Sequence, residues 1–145
     1  MADSNTLIKT LLGELKQDVS HYQQMANQLK EQHNLLVNRD NQALTPHNAA
    51  MEQLMATLNQ HAANRQTILN QLGTTADNQG MQTLLAKLPQ PIQDQAKQWW
   101  QQVYQLTLTC QELNNTNGRL LAQQKQLIDR LLKPEQQFCY APAQP

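Results

Sequence analysis

The sequence predicts an all-α fold, an elongated antiparallel bundle of three long helices plus a short helix, with coiled-coil-like packing. Three observations predict it. The four glycines and six prolines cluster, leaving three long stretches without helix breakers. Each stretch carries apolar residues at alternating steps of four and three, and none alternates as a strand does. Aromatic residues make up only 4% of the 145, so the chain can fill long narrow seams but not a wide aromatic core.

The first stretch opens at Ser4, the expected N-cap, and runs to about Leu44. Its stripe is Ile8, Leu12, Leu15, Val19, Tyr22, Ala26, Leu29 and Leu36, with His33 in the one gap, and a second row of Leu7, Leu11, Met25 and Leu35 widens it. Thr45-Pro46 reads as an N-cap followed by a first helical residue, which puts the expected break near Leu44; a kinked but continuous helix is the alternative. The second stretch carries Met51, Leu54, Met55, Leu58, Ala62, Ile68, Leu69 and Leu72 and stops at Gly73. Residues 73–80 read as a polar loop, and Met81 to Leu88 as two helical turns before Pro89.

Pro91 is expected in the first turn of the last helix, where a missing N–H costs little. That helix runs from Ile92 to Leu132 with an unslipped stripe of Ile92, Ala96, Trp99, Val103, Leu106, Cys110, Leu113, Asn117, Leu120, Gln124, Leu127 and Leu131. Trp100, Leu121 and Ile128 broaden it, and a rod of this length spans about 60 Å. The expected division is a helical domain over 1–133 and a flexible C-terminal tail over 134–145, opened by Pro134.

Eleven basic and eleven acidic residues cancel, so the chain carries no electrostatic footprint for nucleic acid and no basic face for a membrane surface. No targeting segment and no integral membrane segment is expected, because no apolar run approaches the ~20 residues that span a bilayer. Cys110 and Cys139 are far apart and form no CxxC pair; without a secretion signal they read as reduced thiols, and the expected location is cytoplasmic. The four histidines, His21, His33, His47 and His61, make neither HExxH nor a Glu-x-x-His pair. His47 and His61 fall two heptads apart on one helix, about 21 Å along its axis, too far to share a metal. Gly73 and Gly80 form no phosphate loop. The expectation is therefore a non-enzymatic binding protein with no cofactor and no metal.

Three features exceed what a plain bundle needs. Asn114-Asn115-Thr116-Asn117-Gly118 contains an Asn-Gly pair that normally marks a turn, yet the heptad phase runs through it unshifted. Either a loop splits the helix, or a continuous helix carries polar seam residues that specify a register and a partner, with Gly118 admitting another backbone. The end of the helix, Leu120, Leu121, Leu127, Ile128, Leu131 and Leu132, is broader than one seam requires; it either packs internally or forms the wall of a groove. Phe138 and Tyr140 lie in the Pro-containing tail, which is either inert or folds onto a partner.

Leu29, Glu31, Leu35, Asp40 and Leu44, then Leu54, Leu58, Arg65, Ile68, Leu69, Leu72 and Gly73, and in the second half Cys110, Asn114, Asn117-Gly118, Leu120-Leu121, Ile128, Leu131 and Tyr140, carry a family pattern. Over Leu7 to Tyr140 the chain resembles the FlgN family of flagellar export chaperones, with N-x-x-N-G on a Leu-rich final helix as its most specific element. It departs from the pattern at His47-Asn48, where the family often has lysine, and after Tyr140, where glycine is common. The resemblance implies a cytoplasmic chaperone that holds hook-associated proteins of the FlgK and FlgL type before type III export. It also implies delivery of them to flagellar export gate components, transiently at the inner membrane. It places client binding on Asn114, Asn117, Gly118, Leu120, Leu121, Leu127, Ile128 and Leu131, with Phe138 and Tyr140 as tail contacts. The rival readings are a chaperone for another flagellar export client and a self-associating coiled-coil adaptor.

Overall fold

The structure is a computed structural model and describes residues 3–132. The tail with Phe138, Cys139 and Tyr140, and the expected domain boundary at 133, lie outside the described residues. Helix α1 spans Ser4–Val37, α2 Asn41–Gln71, α3 Asn78–Ala86 and α4 Ile92–Leu132.

Local chemistry sets each boundary, and in several places it overrides the expected one. The N-cap of α1 is Asp3 rather than Ser4, its carboxylate accepting the Thr6 amide at 2.8 Å. An acidic cap also meets the positive end of the helix dipole, which favours it over serine. The expected break near Leu44 is displaced to residues 38–40. There the Arg39 amide donates to Leu36 O at 3.1 Å and the Asp40 amide to Leu35 O at 2.9 Å, the paired bonds of a Schellman turn. Asp40 then caps α2 by accepting the Ala43 amide at 3.2 Å. With that cap in place Pro46 sits inside α2, where it forfeits one early ladder bond. Thr45 is not a cap: its hydroxyl donates back to Asn41 O at 3.3 Å.

The other end of α2 is as expected. Gly73 takes φ +82°, its amide donates to Asn70 O at 3.1 Å, and the Thr74 amide donates to Leu69 O at 3.0 Å. Helix α3 starts earlier than the polar composition suggested, because Asp77 caps it. The Asp77 carboxylate accepts the Thr75 hydroxyl at 2.6 Å and the Gly80 amide at 2.9 Å, and these donors hold its carboxyl below the usual range. Gly80 is thus a helical residue packed on the loop that precedes it; a Cβ there would fall onto the Thr75 carbonyl. Pro91 lies just ahead of α4 rather than in its first turn, and its carbonyl accepts the Gln95 amide at 3.2 Å. From there α4 is unbroken through Asn117-Gly118.

The three long helices run up, down and up, with α1 packed against both α2 and α4 and α3 against α4. Along the α1–α2 pair Asp18 meets His61 and Gln28 meets His47, so the two run antiparallel. Along α1–α4 every inter-helix hydrogen bond from Cys110, Asn117 or Gln124 to an α1 carbonyl joins residues 88 apart, so these two run parallel in one fixed register. Two rows of α1 at seven-residue spacing divide the work. Tyr22, Leu29 and Leu36 meet α4, while Asp18 bonds to α2, Met25 clusters with Leu54 and Leu58, and Gln32 bridges the two, donating to Asn48 on α2 and accepting from Asn117 on α4.

The core has two parts. One gathers Leu11, Leu15, Ile68, Leu69, Met81, Leu84, Leu85, Ala96 and Val103 around α3. The other joins Met25, Ala26, Leu29, Leu54, Leu58 and Cys110 at mid-bundle. Asp18, only 1% exposed, lies between them, with His61 donating to it at 2.6 Å and Arg65 at 3.4 Å.

Two boundary residues yield predictions. Arg39 holds φ +53°, a left-handed conformation that costs a side-chain-bearing residue about 1 kcal/mol. Arg39→Gly relieves it and raises stability by somewhat less than that, read as a higher urea midpoint with an unchanged slope. Gly80→Ala forces the α3 start away from Thr75 and lowers stability by about 1–3 kcal/mol on the same measurement.

Candidate binding surface at the end of α4

Helix α4 is built as an amphipathic rod whose seam changes character along its length. Ala96 and Val103 bury fully in the first core cluster. One heptad later Cys110 donates its thiol to Tyr22 O at 3.6 Å, and burial pushes that thiol's pKa up, so it behaves as a small apolar group with a weak donor. One heptad further, Asn117 is 4% exposed. Its amide donates to Leu29 O at 2.8 Å and Gln32 Oε1 at 3.0 Å, and its carbonyl oxygen meets His33 Nδ1 at 3.1 Å. Last in the series, Gln124 donates to Leu36 O at 2.7 Å. Cys110, Asn117 and Gln124 thus reach three α1 carbonyls seven residues apart.

The same register sets where α1 stops supporting α4. Val37, the last residue of α1, comes level with Lys125. The residues of α4 beyond that point project about 10 Å past the end of α1. They carry Leu127, Ile128, Leu131 and Leu132, all exposed, the last two at 71% and 73%. Asp129 and Arg130 lie among them and Lys125 just before them, so the apolar ridge is edged by charges of both signs.

The eight residues singled out from the sequence separate into two groups. Asn117 and the half-buried Leu120 turn toward α1, and Asn117 spends its hydrogen-bonding groups there. Asn114, Gly118, Leu121, Leu127, Ile128 and Leu131 are exposed. A Cβ added at Gly118 would meet nothing within 4 Å, so among the described residues no backbone makes use of its missing side chain. Leu132 belongs to the ridge as well, although the expected binding set stops at Leu131; it continues the Ile128 row at i+4. Sequence reasoning also missed His33 and Gln32 as the partners that satisfy Asn117. His33 stood in the heptad gap of α1, and a polar seam residue opposite another is the signal that finds such a pair.

Residues 1–135 match the FlgN protein family. The chain belongs to the FlgN family. The fold of this FlgN-family protein is similar to the crystal structure of a flagella synthesis protein FlgN from Pseudomonas aeruginosa, at a TM-score of 0.70 and 24% identity, over 83% of this chain and 90% of that one. None of the curated proteins compared with the chain matches it. Among the described residues no helix is long and apolar enough to cross a membrane.

The buried amide yields a prediction about the scaffold beneath this surface. Asn117→Ala removes three hydrogen bonds from a closed seam and costs about 2 kcal/mol of unfolding free energy. Asn114→Ala, at an exposed position of the same helix, changes it by less than about 0.5 kcal/mol; paired denaturant melts measure the contrast.

Proposed function

We propose that this FlgN-family protein is a cytoplasmic export chaperone. In this reading it binds the C-terminal amphipathic segment of hook–filament junction proteins of the FlgK and FlgL type, and brings them to export gate components at the inner membrane. Family membership supports the flagellar setting, and one observation supports the binding site: α4 outruns α1 and carries Leu127, Ile128, Leu131 and Leu132 exposed on its projecting end. Apolar side chains at i, i+1, i+4 and i+5 present the ridge against which an amphipathic helix docks. Contiguous exposed leucine and isoleucine of this kind mark an interaction site more often than a solvated face.

The energetics favour a client that is held and then released. Burying the ridge gains about 25 cal/mol for each Å² of apolar area. Ordering a disordered segment on it takes back about 2–5 kcal/mol, and association entropy takes more. The balance is moderate affinity with no nucleotide needed to reverse it. Leu121 and Gly118, on the outward side of α4, extend the surface toward mid-helix, and Asn117 acts beneath it by holding α4 in register rather than by touching the client.

Leu127→Asp with Ile128→Asp tests the reading. A labelled peptide carrying the C-terminal segment of a FlgK-type client loses binding to the double variant by at least about a hundredfold, since each charge must be desolvated in an apolar contact. The circular dichroism spectrum stays that of the parent, because both side chains lie outside the core. Unchanged peptide affinity overturns the site. A stable homo-oligomer in analytical ultracentrifugation that the double variant breaks assigns the ridge to self-association instead.

A further inference from the structure

The layer that separates the two core clusters holds more ligating chemistry than a buried ion pair needs. Asp18 and His21 project from one face of α1, an i, i+3 pair, and His61 meets them from α2. One carboxylate oxygen and one ring nitrogen from each histidine lie within 4.8 Å of one another. His61 Nδ1 sits 2.6 Å and His21 Nδ1 3.8 Å from the same oxygen, Asp18 Oδ1. His21 Nδ1 is buried and, among the described residues, has no hydrogen-bond partner. A buried donor or acceptor left unpaired carries a free-energy cost, so an orphan aimed at a shared oxygen calls for a partner.

We propose that Asp18, His21 and His61 form a binding site for one divalent transition-metal ion of the zinc class. A four-coordinate zinc site holds its ligand atoms about 2.0–2.2 Å from the ion, and so somewhat more than about 3 Å from each other. The two distances to Asp18 Oδ1 bracket that value, so small rotations of the side chains bring all three ligands into range. The ion takes the place of the proton that His61 now shares with Asp18, and it gives His21 Nδ1 the partner it lacks. Two imidazoles and one carboxylate favour zinc, cobalt, nickel or copper over magnesium and calcium, which prefer all-oxygen shells. Water completes the coordination from the open side, since the histidine side chains are 28% and 13% exposed while Asp18 is 1% exposed.

The surroundings are organised as such a site requires. Arg65 donates to the other carboxylate oxygen, Asp18 Oδ2, at 3.4 Å, which leaves Oδ1 for the ion and fixes the carboxylate plane. The guanidinium is itself held over the Trp100 ring, 5.2 Å from its centre. Its positive charge weakens the affinity below that of the three ligands alone. The histidines' remoteness along the chain, one on each of two helices, is why spacing within a helix did not reveal the site. The heptad position did carry a signal: Asp18 stands in the row of Leu11 and Met25, where a solitary carboxylate has no place without partners. A bound ion here cross-links α1 to α2 at mid-bundle and stabilises the native state by mass action.

The test uses the full chain, stripped with chelator and titrated with zinc chloride by calorimetry, with cobalt(II) absorption as a spectroscopic readout. The expected result is one ion per chain, visible cobalt bands, and a thermal midpoint that rises with zinc but not with magnesium. His21→Gln, at a partly exposed position that preserves the helical spectrum, weakens zinc binding by at least about tenfold, and His61→Gln does the same. His47→Gln removes a histidine bonded elsewhere, to Gln28 O, and leaves binding unchanged. Absence of saturable binding overturns the proposal, and so does zinc binding of equal affinity and stoichiometry in the parent, His21→Gln and His61→Gln proteins.

Discussion

The alignment of α4 on α1 rests on side chains that reach backbone carbonyls at heptad intervals, and the surface that α4 leaves exposed depends on that alignment. Apolar seams tolerate sliding, because one leucine fits a hole much as another does. Amides do not: a shift of one heptad would still offer Asn117 an α1 carbonyl, but it would carry the amide away from Gln32 and His33 and leave those two contacts unmade, at about 1–3 kcal/mol. The amide thus trades some cohesion for a single register. That register decides which α4 residues have α1 behind them and which have none.

A central α1 explains why its pattern looked broader than one seam. The helix serves two neighbours at once, with one heptad row turned to α2 and another to α4, and its strongly buried residues, Leu11, Leu15, Met25, Ala26, Leu29 and Leu36, are divided between them. Among the described residues helix α4 packs mainly on one long helix, α1, and meets α2 where Arg65 lies over Trp100, so much of its circumference stays with solvent, including Tyr104, Leu108 and Leu121. The short α3 closes the first core cluster with Met81, Leu84 and Leu85, and Trp100 ties α4 to it by donating to Asn78 at 2.7 Å. Cohesion is therefore concentrated at the α3 end of the molecule, and the opposite end, where α4 projects, is left thin.

Periodicity made the helices and their packing legible, because a heptad stripe of this length has one economical solution. It also carried α4 correctly through Asn117-Gly118, where turn chemistry argued for a break; an unshifted phase outweighs a single unfavourable pair. Boundaries were read less well. Thr45-Pro46 advertised a cap, but the αL turn at Arg39 and the Asp40 carboxylate supplied a better one a few residues earlier, and no proline rule reveals which of two adjacent caps prevails. Asp77 likewise drew Asn78, Gln79 and Gly80 out of the expected loop and into α3. Of the surface on α4, the exposed leucines could be named from sequence, and Asn117 could be placed on the seam, but that it bonds α1 rather than a client could not be read, since its partners Leu29, Gln32 and His33 lie on another helix. The Asp18 layer was hidden for the same reason.

The seam of α4 passes from Val103 through Cys110 and Asn117 to Gln124, from hydrocarbon to amide, as it leaves the core. Water can replace an amide's bond at little cost, whereas it cannot replace the burial of valine. Resistance to opening therefore declines steadily toward the far tip, like a zipper with its stiff teeth at one end only. The rod is anchored at its root and yields at its tip, so that in the proposed reading a client segment that lifts the outer turns off Leu36 leaves the cluster around Leu15 and Leu85 undisturbed.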